Sequence, residues 1–228
     1  MQIKEIFTSV ENDGLNQGYL STYIRTFSCN LDCTYCNEDY CINPKSDDDL
    51  VGYTVMDVEE ILDIVYANGY NHVCFLGGEP LLQKDAPELV AQLLDEGYKV
   101  NIETNGAIDL EPFEEKMVEI LADDELLNNL TYTLDYKCPN SGMEGNMITS
   151  NINFLIDNDA LKFVVDTEAD IDYMKSLIEQ YEPTAEIFVT ARTMDNKDLV
   201  NFLKAKGIQR VRVQLPLRKI IYNDDMHE

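Results

Sequence analysis

The stretch Tyr19-Leu20-Ser21-Thr22-Tyr23-Ile24-Arg25-Thr26-Phe27-Ser28-Cys29-Asn30-Leu31-Asp32-Cys33-Thr34-Tyr35-Cys36 joins a β-rich run to three closely spaced cysteines. Aromatic and β-branched residues dominate its first half, which suits a pleated, half-buried strand. Outward from it the pattern recurs. Further strands are predicted at Ile3–Phe7, His72–Leu76, Tyr98–Glu103, Thr131–Asp135, Leu161–Val165, Glu186–Thr190 and Arg210–Gln214. Helices are predicted between them at Val55–Asn68, Leu81–Glu96, Glu111–Leu121, Glu168–Tyr181 and Asn196–Lys206. Gly69, Gly97 and Gly207 follow helical stretches, where a residue of positive φ ends a helix. Thr54 with Asp57 and Thr167 with Asp170 have capping-box spacing, and Asp195 stands where a cap belongs. The segment Asn146–Asn158 reads poorly as a helix. Strands separated by helices mean right-handed βαβ units, so the fold class is α/β: a partial (β/α) barrel with a mainly parallel sheet in a single domain. In such sheets the chemistry gathers at the C-terminal ends of strands.

Composition bounds the function. The chain has 228 residues, with 43 Asp and Glu against 17 Lys and Arg, a net charge of −26. Such a surface repels phosphate backbones, which argues against a nucleic-acid binder. No apolar run approaches the ~20 residues of a membrane span, and the opening residues lack a signal-peptide core. A cytoplasmic location is expected, and there six cysteines are metal ligands or free thiols before they are disulfides. The stretch Asn43 to Gly52, with Asp47, Asp48 and Asp49, reads as an exposed acidic loop.

Cys29, Cys33 and Cys36 have the spacing C-x3-C-x2-C, and three thiolates this close suit one soft metal centre. Three ligands leave one iron of a [4Fe–4S] cluster open to an external ligand. Structural zinc wants four. Cys41 could supply a fourth ligand and make a closed iron–sulfur or zinc site. His72 and His227 are the only histidines, which disfavours a histidine-rich zinc site.

Two more strand ends bear on this. His72–Leu76 is followed by Gly77-Gly78-Glu79-Pro80, where glycines allow a ligand near the backbone and Glu79 can balance an ammonium. Tyr98–Glu103 is followed by Thr104-Asn105-Gly106, and Glu103 can accept hydrogen bonds from ribose hydroxyls.

The cysteine triplet with Tyr35 before its last cysteine, the GGEP motif and the Glu103 strand end together resemble the radical S-adenosylmethionine (radical SAM) superfamily. That resemblance implies a [4Fe–4S] cluster on Cys29, Cys33 and Cys36. SAM would chelate the open iron and be cleaved reductively to a 5′-deoxyadenosyl radical. It also implies SAM contacts from Tyr35, Gly77, Gly78, Glu79, Glu103, Asn105 and Lys137.

The resemblance narrows with Glu5-Ile6-Phe7-Thr8-Ser9-Val10, Gly14, Gly18 and Tyr23-Ile24-Arg25. It narrows again with Thr133-Leu134-Asp135-Tyr136-Lys137-Cys138-Pro139-Asn140-Ser141-Gly142-Met143, and with Val213-Gln214-Leu215-Pro216-Leu217-Arg218-Lys219-Ile220-Ile221-Tyr222. End to end, the chain is similar to the 7-carboxy-7-deazaguanine synthase family. A single domain over 1–228 is implied, with a cluster loop at 28–53 and a substrate-capping segment near 213–228. The family converts 6-carboxy-5,6,7,8-tetrahydropterin to 7-carboxy-7-deazaguanine with loss of ammonia, in queuosine-type biosynthesis. The implied substrate residues are Asp13, Arg25, Gln214 and Arg218, with Arg25 meeting the carboxylate. Lys137 could also contact SAM or pair with Asp135. Mg2+, a flavodoxin or ferredoxin-type electron donor and a homodimer are implied as well.

Departures from the family pattern cluster around substrate and metal. Asn37-Glu38 replaces the family's Asp-Thr, which makes Glu38 a candidate Mg2+ ligand. Asp13 stands for the family's Glu, and Arg218 for its His. Ala191-Arg192-Thr193-Met194 stands where a Ser-Pro pair is usual. The alternatives are a relative acting on another heterocycle, a glycyl-radical activase, and a closed four-cysteine protein. Cys74 is expected in the core, and Cys138 as a free thiol near the mouth.

Overall fold

Hydrogen bonding joins nine strands into one sheet among residues 1–36 and 52–222, the part described by a computed structural model of the chain. Strands β1 (Gln2–Val10) and β2 (Leu20–Thr26) pair antiparallel, with Phe7 opposite Tyr23. The short β3 (Thr54–Val55) pairs with the other side of β1. Helix α1 (Val58–Asn68) leads to β4 (His72–Gly77), and α2 (Ala86–Asp95) to β5 (Lys99–Thr104). Helix α3 (Glu111–Val118) precedes β6 (Leu130–Asp135), and α4 (Ser150–Phe154) precedes β7 (Ala160–Val165). Helix α5 (Glu168–Tyr181) leads to β8 (Glu186–Ala191), α6 (Asn196–Ala205) to β9 (Arg212–Val213), and α7 (Leu217–Tyr222) follows. The order is β3-β1-β2-β4-β5-β6-β7-β8-β9, parallel from β2 onward. The partial barrel expected from the alternating pattern is thus present, with an antiparallel β1 added at its edge.

Several boundaries differ from expectation for local reasons. Thr54 does not cap α1, because Thr54 and Val55 pair with Ile3 and Gln2. The cap is Asp57, in a reciprocal capping box with Glu60. Helix α2 starts late, at Ala86, after a 3-10 turn at Pro80–Leu82 whose Leu81 N–H is taken by the Glu79 side chain. The last strand shrinks to Arg212–Val213, and within Asn146–Asn158 only Ser150–Phe154 is helical. The Thr167–Asp170 capping box and the Asp195 cap form as the spacing predicts.

Successive side chains of each strand face opposite ways. Ile24, Val73, Phe75, Val100, Ile102, Leu134, Leu161 and Phe163 join the apolar core with the helices. Each such side chain contributes about 1.5–3 kcal/mol by leaving water. The alternate positions carry polar groups that are also buried: Arg25, Asn101, Thr131, Thr133 and Lys162. The inner face of the barrel is therefore polar and enclosed. Among the described residues, no helix is long and apolar enough to cross a membrane.

Candidate active site

The cysteine loop is built by backbone contact. After β2, Ser28 takes a left-handed conformation (φ 77°) and turns the chain into Cys29. The loop after β4 lies against it: Gly78 N–H donates to the Thr26 carbonyl at 3.2 Å, and Glu79 N–H to the Ser28 carbonyl at 2.8 Å. A Cβ on Gly77 would lie 2.3 Å from the Thr26 carbonyl oxygen, and one on Gly78 would lie 2.0 Å from that of Ser28. The two glycines expected to admit a ligand thus first admit the main chain of the cysteine loop. The far side of that loop is held by the 138–142 turn. Thr34 donates to the carbonyls of Asn140 and Ser141, and Asn140 N–H donates to Asp170, the partner of the Thr167 cap in the first turn of α5.

Cys29, Cys33 and Cys36 line one cavity of about 130 Å³ with Tyr35, Gly77, Gly78, Asn105 and Lys137. Burial pushes the Cys33 thiol up to about 11. Lys137 opposes that shift, while Asp135, Cys36 and Cys29 add to it. Burial also raises Cys29. Three crowded thiols, of which Cys29 and Cys33 resist ionisation, suit a multi-positive centre, which relieves their mutual repulsion. Among the described residues no three His, Cys, Asp or Glu side chains converge on a single-ion position. The thiols flank a cavity instead, as fits a cluster whose irons each take one thiolate. Asn37, Glu38 and Cys41 lie outside the described residues, as does most of the acidic loop, so the expected Mg2+ ligand and fourth thiolate do too.

Glu79, expected as a counter-ion, is bound into the fold. Its carboxylate is fully buried and accepts from Leu81 N–H (3.1 Å), the Thr104 hydroxyl (2.9 Å) and Asn105 N–H (2.8 Å). It braces the turn after β5. That turn sets Asn105, whose amide nitrogen reaches the Cys29 sulfur at 3.5 Å and the Asn30 side chain at 2.8 Å. The Tyr35 ring lies under the Arg192 guanidinium (5.3 Å), and Asp166 holds Arg192. The Arg192 turn, which the sequence placed beside substrate, therefore serves the cysteine side.

A second cleft, of about 160 Å³, opens from the first and shares Gly77, Gly78, Asn105 and Lys137 with it. Asp13, Glu103, Asp135 and Lys162 form its charged wall, which the neutral Thr133 also lines. Asp13 pairs with Lys162 at 2.8 Å, and Asp135 with Lys137 at 2.9 Å. Burial opposes charge on Asp135, but Lys137 and Lys162 outweigh it and hold its carboxyl below the usual range. Glu103 is pushed up to about 7, by burial first and Asp13 second, against Lys162.

The other two expected substrate residues and Gln214 sit differently. The Gln214 amide is engaged by Gly14, accepting from its N–H (3.2 Å) and donating to its carbonyl (3.1 Å). It fixes the Asp13 loop and keeps one amide hydrogen and one oxygen lone pair beyond those two bonds. Arg25 and Arg218 gather on the stacked Phe7–Tyr23 pair. Arg25 lies 5.3 Å and Arg218 5.2 Å from the Phe7 centroid, and Arg25 also meets Glu5 at 3.2 Å. Cys74 is buried and its thiol faces Glu103 at 3.3 Å. Cys138 is a free thiol, as expected, and is fully buried in the apolar core. The sequence reading missed Lys162, although a lone lysine in the apolar run ALKFVV was a usable signal. Asn101 offered no comparable signal.

Beneath the cleft, Glu11 accepts from Ser21 and from Asn101 (3.1 Å), and Asn101 accepts from Thr133 (2.9 Å). His72 lies 3.9 Å from Glu11, but burial and Lys99 hold its pKa below the usual range, so the contact is not an ion pair. Burial pushes Glu11 and Glu79 up to about 7, as it does Glu103. A carboxyl that binds its proton more tightly when folded favours the fold at low pH. That contribution is complete below the ordinary value of 4.5 and is lost as pH rises through about 7. Each such group costs on the order of 3 kcal/mol across that window. Glu11→Gln can keep both hydrogen bonds, since Ser21 can also accept. Urea unfolding of the cofactor-free variant should show a shallower loss of stability with rising pH than wild type. An unchanged slope would remove Glu11 from the account.

Comparison with known proteins places this arrangement. The family model described as "Radical SAM superfamily" matches residues 23–136. A 7-carboxy-7-deazaguanine synthase of Clostridium acetobutylicum is 35% identical over 97% of this chain and 96% of its own. One of Methanospirillum hungatei is 37% identical over 97% of this chain and 85% of its own. The crystal structure of QueE from Escherichia coli superposes with a TM-score of 0.69 at 18% identity, covering 93% of each chain, a likeness of fold.

Proposed function

From a chain that belongs to the radical SAM superfamily, and within it to the 7-carboxy-7-deazaguanine synthase family, we propose an enzyme that rearranges 6-carboxy-5,6,7,8-tetrahydropterin to 7-carboxy-7-deazaguanine with loss of ammonia. The reaction is of the carbon–nitrogen lyase type. The observation that carries it is the continuity of the two clefts, from three thiols at one end to the Asp13–Lys162 pair at the other, with four residues in common.

Cys29, Cys33 and Cys36 would hold a [4Fe–4S] cluster, and Gly77, Gly78, Glu103, Asn105, Lys137 and Tyr35 would surround SAM. When bound, the two supply an organic radical that removes a hydrogen atom from the substrate. The chain's own part is placement and exclusion of water. Asn105 offers its amide to the Cys29 sulfur and orders that side of the cluster loop. Lys137 carries a positive charge beside the thiols, maintained by Asp135 against burial. Glu103, at the end of β5, is the acceptor for ribose hydroxyls. Asp13 is the acceptor for the donor edge of the heterocycle. Arg25 is the partner of its carboxylate, and Arg218 a second cation on the same aromatic pair. Glu38 would serve Mg2+. A small flavodoxin or ferredoxin-type protein would deliver the electron, and a cytoplasmic homodimer agrees with the family.

The test is anaerobic incubation of cluster-loaded protein with SAM, reductant and 6-carboxytetrahydropterin, with mass analysis of the products. The deazapurine acid together with ammonia is expected. Normal SAM cleavage with untouched pterin would overturn the substrate. No SAM cleavage under strong reduction would overturn the chemistry.

A further inference from the structure

Lys162 is the one charge in strand β7, and only 11% of its side chain is exposed. An ammonium is enclosed at this cost only where anions receive it. Three carboxylates do so, from three elements. Asp135 stands opposite in the β6–β7 register, Asp13 reaches in from the loop after β1 at 2.8 Å, and Glu103 comes from β5. Asp135 has a second cation in Lys137, whereas Asp13 pairs with Lys162, which is also a counter-charge to Glu103. Glu11 and Cys74 also face Glu103. Asp13 adjoins Gly14, whose two backbone groups are held by Gln214, and Thr133 fills the space a Cβ there would need. The Asp13 loop is thus fixed by its backbone, and the carboxylate by Lys162.

We propose that Lys162 is a positioning residue shared by both halves of the cleft: its ammonium orients Asp13 toward the donor edge of the heterocycle and supplies the counter-charge that lets Glu103 serve SAM. The substrate half rests on the reaction proposed above, and the SAM half rests on family membership alone. Lys162 itself touches neither ligand. Its loss therefore acts through Asp13 on pterin binding and through Glu103 on SAM binding.

The pterin half is read on unloaded protein with 6-carboxypterin, followed by its own fluorescence. Lys162→Met should weaken binding about 10- to 100-fold, and Asp13→Asn/Lys162→Met should bind within about twofold of Asp13→Asn alone, because the pair acts as a unit. Lys162→Arg, which keeps the charge, should lose less than Lys162→Met. Losses that multiply in the double variant would overturn the proposal, since Lys162 would then contact the ligand itself. If Lys162→Met fails to fold, the comparison of Asp13→Asn with the double variant decides.

The SAM half is read by equilibrium dialysis of cluster-loaded protein. Without Lys162, Glu103 moves further up and remains protonated to higher pH. The Lys162→Met variant should need a higher pH than wild type to hold SAM. Superimposable pH profiles would overturn the proposal. A wild-type protein that ignores 6-carboxypterin overturns the reaction proposed above, and the SAM profiles then decide the role of Lys162.

Discussion

Alanine at Cys29, Cys33 or Cys36 is expected to bring SAM cleavage to background and to remove the iron–sulfur absorption of the anaerobically reconstituted protein. The reason is spatial. The three thiols border one cavity, and the surrounding groups are arranged for anionic sulfur, with Lys137 near Cys33 and the Asn105 amide on Cys29. Two ligands cannot retain a cluster that three hold with one iron open. Cys138→Ala is the control, because that thiol is fully buried in the apolar core; it should keep its iron and lose about 1 kcal/mol of stability, as for a small cavity. Cys41→Ala separates the open cluster from a closed four-cysteine site. Iron and SAM cleavage that survive its replacement support the open site. Iron retained by all three single variants of the triplet would sink the assignment.

Gly78→Ala carries the second large effect. The added methyl would lie 2.0 Å from the Ser28 carbonyl oxygen, and that atom is backbone, so no side-chain rotation can relieve the overlap. The same two loops are tied by the Gly78 and Glu79 N–H groups, which donate to Thr26 and Ser28. Parting the loops would break those bonds and displace Cys29. A loss of about 3 kcal/mol, at the upper end for overpacking, is expected, together with failure to hold iron. Thermal unfolding and iron content measure the two effects. Gly145→Ala is the contrast: a Cβ there meets nothing within 4 Å, and wild-type values are expected. A Gly78→Ala protein of native stability and full iron content would show that the loops can part, and that the backbone contact does not set the cysteine loop.

The strands and helices were legible because local signals agreed with the tertiary answer. Apolar runs, glycines after helices and the Thr167–Asp170 box act over a few residues, and tertiary packing did not override them. Thr54 misled because its partner is distant in sequence: Ile3 and Gln2 claim residues 54 and 55 for the sheet edge. The cysteine triplet was equally plain, since its spacing is a local property. Lys162 and the buried roles of Glu79 and Gln214 were not. Each depends on which residue faces it across the barrel, and composition along the chain carries no such information.

By itself the sequence determined an α/β chain of recurring βα units, with three thiols at the end of one strand and acidic and amide groups at the ends of others. Only the tertiary structure decided which of those groups remain open to a ligand. Closing the parallel sheet turns alternate side chains into one enclosed, polar interior, where each charge must find a partner or lose its proton. That requirement, met between residues far apart in the chain, is what pairs Asp13 with Lys162 and draws Glu79 into the fold.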